Sequence, residues 1–144
     1  RKLLQWAAAL HEAGRMISPN GYHHHSRYIL EHCDMPGFSR SEQQRLGQLA
    51  LAQRGRLQKV RGLLDDDAAR RMVLALRLAV IFAHQRSSVR MPRFEIAAGP
   101  RGCALSLERS WCDRHPLLAF MLENERQIWL DAGFEFELSA AARG

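Results

Sequence analysis

The segment from Ala68 to His84 constrains the fold of this 144-residue chain more than any other, because it is apolar almost all round. Such a pattern is typical of a helix enclosed by other elements, so we expect it to be the central helix of a helical body. Arg70, Arg77 and His84 are spaced at intervals of two helical turns and form one polar stripe. A buried guanidinium needs a partner, and we therefore predict that Arg77 contacts a carboxylate, backbone carbonyls or a bound anion.

Three shorter helices are predicted ahead of this central helix. Apolar spacing from Leu3 onward predicts the first, with His11 and Glu12 late on it. A second helix is predicted from Tyr22 to Cys33, because turn residues precede it and a Met-Pro-Gly segment follows it. The spacing of Ser39-Arg40-Ser41-Glu42 is typical of a capping box, which predicts the start of the third helix.

The last third of the chain has a different pattern. Apolar alternation over 94–107, interrupted by a Gly-Pro-Arg-Gly turn, predicts a β-hairpin. A helix over 113–131 and a third strand over 134–138 follow. We therefore expect an α+β protein, with a mainly α-helical body in residues 1–89 and a small β-β-α-β unit in residues 90–144.

Positive charge is concentrated in the helical body. Residues 1–90 carry 15 Lys or Arg against 7 Asp or Glu, whereas residues 91–144 carry 6 against 8. Of the 21 cations only Lys2 and Lys59 are lysines. The planar fork of Arg suits phosphate or carboxylate oxygens, although a G+C-rich genome would produce the same composition.

Composition also excludes several classes of protein. No apolar run approaches the ~18 residues of a membrane span, and the three cysteines lack the spacing of a disulfide or zinc framework. We therefore expect a cytoplasmic protein with reduced thiols. Specific nucleic-acid binding has only the basicity in its favour, since no nucleic-acid motif is present. The chain opens inside a predicted helix at Arg1, so we also expect it to be a piece of a longer protein.

Five of the seven histidines lie within the first 32 residues. The pair His11-Glu12 and the later run of three histidines have the chemistry of a site for Mn, Fe or Zn, and equally that of polar side chains at a helix junction. This spacing resembles the HD phosphohydrolase superfamily, in which a late-helix aspartate completes the metal shell. Val80 stands at that position here, so we expect a degenerate site without metal. If a metal binds, its ligands are His11, Glu12, His24 and His25, and a stand-alone metal-dependent HD-type phosphohydrolase is the alternative function.

A second set of motifs is more specific than the histidine spacing, because its members are linked in a fixed order. They are Leu4-x-Trp6-Ala7-Ala8-x-Leu10-His11-Glu12-x-Gly14, Ile17-Ser18, Tyr22-His23-x-His25-Ser26-x-Tyr28, Gly37-Phe38-Ser39-Arg40-x-Glu42 and Arg54-Gly55. Together they resemble the C-terminal part of exopolyphosphatases and guanosine pentaphosphate phosphohydrolases, the Ppx/GppA family. The resemblance is strong from Leu3 to about Arg61 and weak over the β-β-α-β unit.

The resemblance implies an HD-like helical domain with a degenerate metal site, followed by a small terminal domain. In the family, two actin-like domains hold the catalytic carboxylates and the Mg²⁺, and this chain has none of their phosphate loops. The resemblance therefore implies a fragment without catalytic residues or a cofactor of its own. Its expected role is to help bind polyphosphate or guanosine pentaphosphate and to assemble a homodimer.

The positive side chains of the helical body are the candidates for binding such a ligand, which carries closely spaced negative charges. They share a position at the start of the second helix or on the connection after the third: His23, His24, His25, Arg27, Arg54, Arg56, Lys59 and Arg61. Free amides at a helix start also favour an oxyanion. We interpret His11, Glu12 and Arg77 as an internal polar cluster in which Glu12 pairs with Arg77.

Overall fold

A computed structural model of the protein describes residues 2–83 and 93–141. The chain divides into two compact units, Arg1–Leu78 and Ala79–Gly144, and each is described by itself. The domain boundary predicted at residues 89 and 90 lies outside the described residues and stays a prediction. The predicted α+β class is confirmed, because helices precede a small sheet.

The first unit is helical throughout. In chain order its elements are α1 (Lys2–Leu10), a 3₁₀ helix (Ala13–Met16), α2 (Tyr22–His32), α3 (Arg40–Ala52), a second 3₁₀ helix (Gln58–Val60), α4 (Arg61–Leu64) and the greater part of α5 (Asp67–Ala83). Helices α2 and α3 pack against each other, and their apolar faces meet at fully buried leucines such as Leu30, Leu46 and Leu49. Burial of these side chains stabilises the unit, at about 1.5–3 kcal/mol for each.

The start of α3 is fixed by its own residues. The Ser39 hydroxyl accepts a hydrogen bond from the Glu42 backbone N–H at 3.2 Å, and the Glu42 carboxylate accepts one from the Ser39 N–H at 2.7 Å. This reciprocal pair satisfies two amides that have no partner inside the helix. The predicted capping box is confirmed.

The connection between α1 and α2 contains a short 3₁₀ helix, and hydrogen bonds to Ser26 hold it against α2. The Ser26 hydroxyl, which is fully buried, donates to the His11 carbonyl at 2.7 Å and accepts from the Gly14 N–H at 2.8 Å. Helix α1 ends at Leu10, so the prediction that His11 and Glu12 lie on it is wrong. The physical reason is Gly14, whose backbone packs directly against α2 and draws the chain into a 3₁₀ turn.

Helix α5 buries many of its apolar residues, as the pattern predicts, but it is not enclosed all round, because Arg71, Ala75 and Ala79 form one exposed face. A carboxylate caps the start of this helix, because the Asp66 side chain accepts a hydrogen bond from the Ala69 backbone N–H at 3.1 Å. Ala69, Val73 and Leu76 are buried, and so are both arginines of the polar stripe. His84, the third member of that stripe, lies outside the described residues.

The second unit contains a three-stranded sheet. Strand β1 (Phe94–Gly99) pairs antiparallel with β2 (Gly102–Glu108), and β2 pairs parallel with β3 (Glu135–Ala141). Two helices, α6 (Arg109–Arg114) and α7 (Pro116–Asp131), connect β2 to β3, which a parallel pair requires. The β-β-α-β order is confirmed.

The core of the second unit lies between the sheet and its helices. Strand β2 alternates buried and half-buried residues, with Leu105 and Leu107 buried, and Trp111, Leu122 and Trp129 close the core. The single helix predicted over 113–131 is wrong in one respect, because the chain breaks between α6 and α7. Proline disfavours helical geometry in the residue before it, and the residue before Pro116 has φ −131° and ψ 64°.

Two further expectations concern the whole of the described chain. Within residues 2–83 and 93–141, every helix is too short or too polar to span a lipid bilayer. The cysteines Cys33, Cys103 and Cys112 are all free thiols, as their spacing predicts.

Candidate functional site

The start of α2 holds two histidines beside a buried tyrosine. Gly21 precedes the helix in the left-handed conformation, with φ 61°, and provides no side-chain cap. Tyr22 is 4% exposed and anchors the first turn in the unit. The rings of His23 and His24 then lie next to each other, with their centroids 4.3 Å apart.

The segment after α3 returns to this point. Gly55 has φ 73°, a conformation that glycine adopts at no steric cost, and it turns the chain directly after Arg54. The Arg54 guanidinium lies over the Tyr22 ring, 4.9 Å from its centroid. The Lys59 ammonium folds back and donates a hydrogen bond to the Arg54 carbonyl. Two cations of the connection are thereby held at the start of α2.

A third cation, Arg77 of α5, acts on His23 and Lys59. Arg77 is 2% exposed and donates to the Ala52 carbonyl at the end of α3, at 2.7 Å. The prediction that Arg77 meets a backbone carbonyl is confirmed. Its predicted ion pair with Glu12 is wrong, because the Glu12 carboxylate is half exposed and pairs with Arg15 at 3.0 Å.

Electrostatics shows that these groups act on one another. Burial, and then the charges of Lys59, His24, Arg54 and Arg77, lower the pKa of His23 from 6.5 to about 4. Burial, and then Arg77 and Arg54, lower the pKa of Lys59 from 10.5 to about 8. We call these five residues, His23, His24, Arg54, Lys59 and Arg77, the basic cluster.

Arg54 and Lys59 have different partners from other cations of the unit. Arg27, Arg45 and Arg71 each form an ion pair with a carboxylate, at 2.9 Å, 3.2 Å and 2.9 Å. Among the residues that the structure describes, neither Arg54 nor Lys59 forms one, and the charges that depress the pKa of Lys59 are both positive. Like charges held together at a surface are a site that an anion can stabilise.

The remaining candidates from the sequence lie outside the basic cluster. Arg27 donates to Glu31 at 2.9 Å, which offsets its charge. His25 is half-buried against Gly14, and Arg56 and Arg61 are exposed without acting on His23 or Lys59. A binding role for these four residues stays a prediction.

Sequence reasoning missed two residues of the site. From the sequence, Tyr22 is an ordinary core residue. In the structure its ring contacts the guanidinium of Arg54 and also that of Arg15, which lies 5.1 Å from the ring centroid. Gln53 is buried and donates to the His11 carbonyl at 2.6 Å, and its side-chain oxygen has no hydrogen-bond partner among the described residues. Neither role leaves a local signal, because both depend on contacts between helices.

The residues named for a metal site are arranged differently. The His11 ring donates from Nδ1 to the Ala8 carbonyl at 2.6 Å, and its Nε2 lies 3.8 Å from the Glu12 carboxylate. His24 is exposed and His25 is half-buried. Over the described ranges 2–83 and 93–141, no three His, Cys, Asp or Glu side chains meet in a metal-binding group.

The chain is similar to known proteins over most of its length. Residues 1–126 match the family described as Ppx/GppA phosphatase, domain III. Three relatives carry the name guanosine-5'-triphosphate,3'-diphosphate pyrophosphatase. The protein of Pseudoalteromonas translucida is 38% identical over 138 residues, that of Aeromonas hydrophila 34% over 133 residues, and that of Vibrio atlanticus 32% over 138 residues.

These alignments cover almost the whole chain but only part of each relative. They include 92%, 88% and 94% of this chain for the three proteins in that order. The corresponding shares of the relatives are 27%, 27% and 28%. The chain therefore spans little more than a quarter of the length of these relatives.

Proposed function

Since the chain belongs to the Ppx/GppA phosphatase family, within its domain III, we propose that it is an accessory, substrate-holding part of a phosphoanhydride hydrolase. Its ligand is the anionic chain of polyphosphate or the phosphates of guanosine pentaphosphate. The terminal phosphate is removed by actin-like domains that are not part of this sequence. The proposed setting is cytoplasmic.

The observation that carries this proposal is the basic cluster. Burial first, and then neighbouring cations, depress the pKa values of His23 and Lys59. His23 is therefore neutral near pH 7, and the positive charges that repel one another are those of Arg54, Lys59 and Arg77. Two unit charges 4 Å apart repel by about 1 kcal/mol in water and about 4 kcal/mol near a protein surface. A bound phosphate group relieves this repulsion, so the folded chain favours an oxyanion at this place.

The names of the relatives support one of the two ligands. Each of the three proteins is named for guanosine-5'-triphosphate,3'-diphosphate, which carries clustered phosphates. Polyphosphate presents the same group in a long row, so the same cations suit both. The basic cluster binds phosphate by charge, and the choice between the ligands belongs to the rest of the protein.

Mg²⁺ belongs to the proposed catalytic domains. The donor sets of the described residues do not fit it here, because His11 and Glu12 engage Ala8 and Arg15 and no third ligand joins them. We therefore derive no step of the reaction through a metal in this chain.

The proposal is tested by polyphosphate binding at several salt concentrations. We expect the affinity of the chain to fall steeply between 50 and 200 mM salt. The logarithm of the binding constant should fall with the logarithm of the salt concentration, with a slope of about 0.7 for each cation in contact. Arg54→Gln should weaken binding several-fold and lower that slope by about 0.7. The matched control is Arg71→Gln, which removes the same charge from an arginine that Asp67 already neutralises.

The two variants separate a site from a general charge effect. Equal losses for Arg54→Gln and Arg71→Gln would mean that only net charge matters, and the proposed site would be wrong. Binding that does not respond to salt, or no binding at low salt, would overturn the proposal as a whole.

Assembly into a homodimer is a further part of the proposal. Leu117 and Phe120 lie one turn apart on α7, and each side chain is 70% exposed. Phe94 and Ile96 on β1 are also exposed, so the second unit presents apolar surface on two of its elements. Large uncovered apolar surfaces are typical of protein–protein contacts.

A further inference from the structure

Lys59 differs from Lys2, the other lysine of the chain, in its surroundings. It is exposed, its ammonium folds back onto the Arg54 carbonyl, and the charges of Arg54 and Arg77 act on it. We propose that Lys59 is an acylation site for acyl phosphates, small mixed anhydrides of a carboxylic acid and phosphate. The phosphate end occupies the basic cluster, and the Lys59 amine attacks the acyl carbon.

The geometry leaves the amine free to react. One N–H of Lys59 donates to the Arg54 carbonyl, which fixes the position of the nitrogen and leaves its lone pair available when the amine is neutral. A side chain at position 55 would lie 3.1 Å from this nitrogen, so Gly55 keeps the approach open. The electrophile arrives bound at its phosphate, within reach of the nucleophile, and the reaction is in effect intramolecular.

The same surroundings increase the reactivity of the amine. With a pKa of about 8, roughly half of Lys59 is neutral at pH 8, against about 0.4% for an ordinary lysine. A less basic nucleophile attacks more slowly. With a Brønsted slope like that of thiols, about 0.45, the lower pKa reduces the rate constant of the neutral amine roughly tenfold. The net gain is about tenfold before any contribution from phosphate binding.

The reaction balances without a further reactant. The nitrogen of Lys59 forms a bond to the acyl carbon, and the bond between that carbon and the phosphate oxygen breaks. The bonding pair leaves with the oxygen as inorganic phosphate, and a proton of the amine passes to water. The product is an amide, so the positive charge of Lys59 is lost.

The consequence of this reaction rests on the proposed function. An acylated Lys59 removes one cation from the basic cluster, and the chain should then hold polyphosphate less tightly. Acylation of Lys59 would thereby regulate the phosphoanion site in response to the supply of acyl phosphates.

The test uses acetyl phosphate at pH 8 on the full chain, with peptide mass spectrometry of both lysines. We expect Lys59 to be acetylated at least tenfold faster than Lys2, which serves as an internal control. Inorganic phosphate should slow the reaction at Lys59 and leave Lys2 unchanged. With p-nitrophenyl acetate, which has no phosphate, the preference should shrink and the competition should disappear.

Two variants and a binding measurement complete the test. Arg54→Gln should slow acetylation of Lys59 by acetyl phosphate, whereas Arg71→Gln should not. Equal labelling of the two lysines, or no competition by phosphate, would overturn the inference. If Lys59 is acetylated selectively but the acetylated chain keeps its affinity for polyphosphate, the proposed function of the cluster fails while the acylation site stands. If polyphosphate binds and Lys59 is inert, the inference alone is wrong.

Discussion

The close approach of the first 3₁₀ helix to α2 makes Gly14→Ala the most informative substitution for the stability of the first unit. A Cβ on Gly14 would lie 2.2 Å from the Tyr22 carbonyl oxygen and 2.3 Å from the Ser26 backbone nitrogen. Both atoms belong to the backbone of α2, which cannot rotate away as a side chain would. The added methyl group therefore has to separate two segments of the unit by about 1 Å.

The cost follows from two terms. Overpacking of this kind costs about 1–3 kcal/mol. The shift also lengthens the buried hydrogen bond from the Gly14 N–H to the Ser26 hydroxyl, now 2.8 Å, and an unmade buried bond costs about 1–3 kcal/mol. Together these terms predict that Gly14→Ala lowers the free energy of unfolding by about 2–6 kcal/mol.

The matched control is Gly62→Ala in α4. A Cβ at this position meets no atom within 4 Å, and alanine is the better helix former. The same chemical change should therefore raise the free energy of unfolding by up to about 1 kcal/mol. Urea unfolding followed by far-UV circular dichroism at 222 nm reports on the helices of the unit that contains both residues.

The two variants must differ for the packing argument to hold. If their unfolding free energies lie within 1 kcal/mol of each other, the contact between Gly14 and α2 is looser than the structure describes. The hydrogen bond through Ser26 would then contribute little to the connection.

Two further predictions concern pH and assembly. The pKa of His23 is about 4 in the folded chain and close to 6.5 in the unfolded chain. Between these pH values the unfolded state binds more protons, so the free energy of unfolding falls as the pH drops from 7 to 5. Because the ring is only partly buried, we expect this group to change the free energy of unfolding by about 1 kcal/mol. His23→Gln should reduce the pH dependence of stability measured by urea unfolding, and an unchanged pH dependence would contradict this prediction. Light scattering at micromolar concentration should show a dimer that Phe120→Ser weakens, and a monomeric wild-type chain would contradict the proposed assembly.

Local signals in the sequence predict much of the helical body. The capping box at Ser39 and Glu42 sets the start of α3, because both partners lie within one turn. The apolar pattern after residue 67 predicts a helix that is largely buried, although Arg71, Ala75 and Ala79 stay exposed on one face. The break before Pro116 also had a local signal, and the apolar periodicity on both sides concealed it.

The site depends on contacts that no local pattern records. Arg77 meets the carbonyl of Ala52, which is 25 residues away, and only the tertiary fold brings the two together. Glu12 pairs with Arg15 because the 3₁₀ turn at Gly14 brings the two together. Counting charges identifies a basic half of the chain, but only the fold shows that Arg54 and Lys59 pair with no carboxylate in the part of the chain that the structure describes.

The ring of Tyr22 has a consequence for how Arg54 is held. A carboxylate could orient this guanidinium equally well, but it would cancel the charge and repel an incoming phosphate. An aromatic face attracts a cation through its quadrupole and carries no net charge. Arg54 is thereby oriented 4.9 Å from the centre of a neutral ring, and it can meet an oxyanion without first giving up an ionic bond to any described residue.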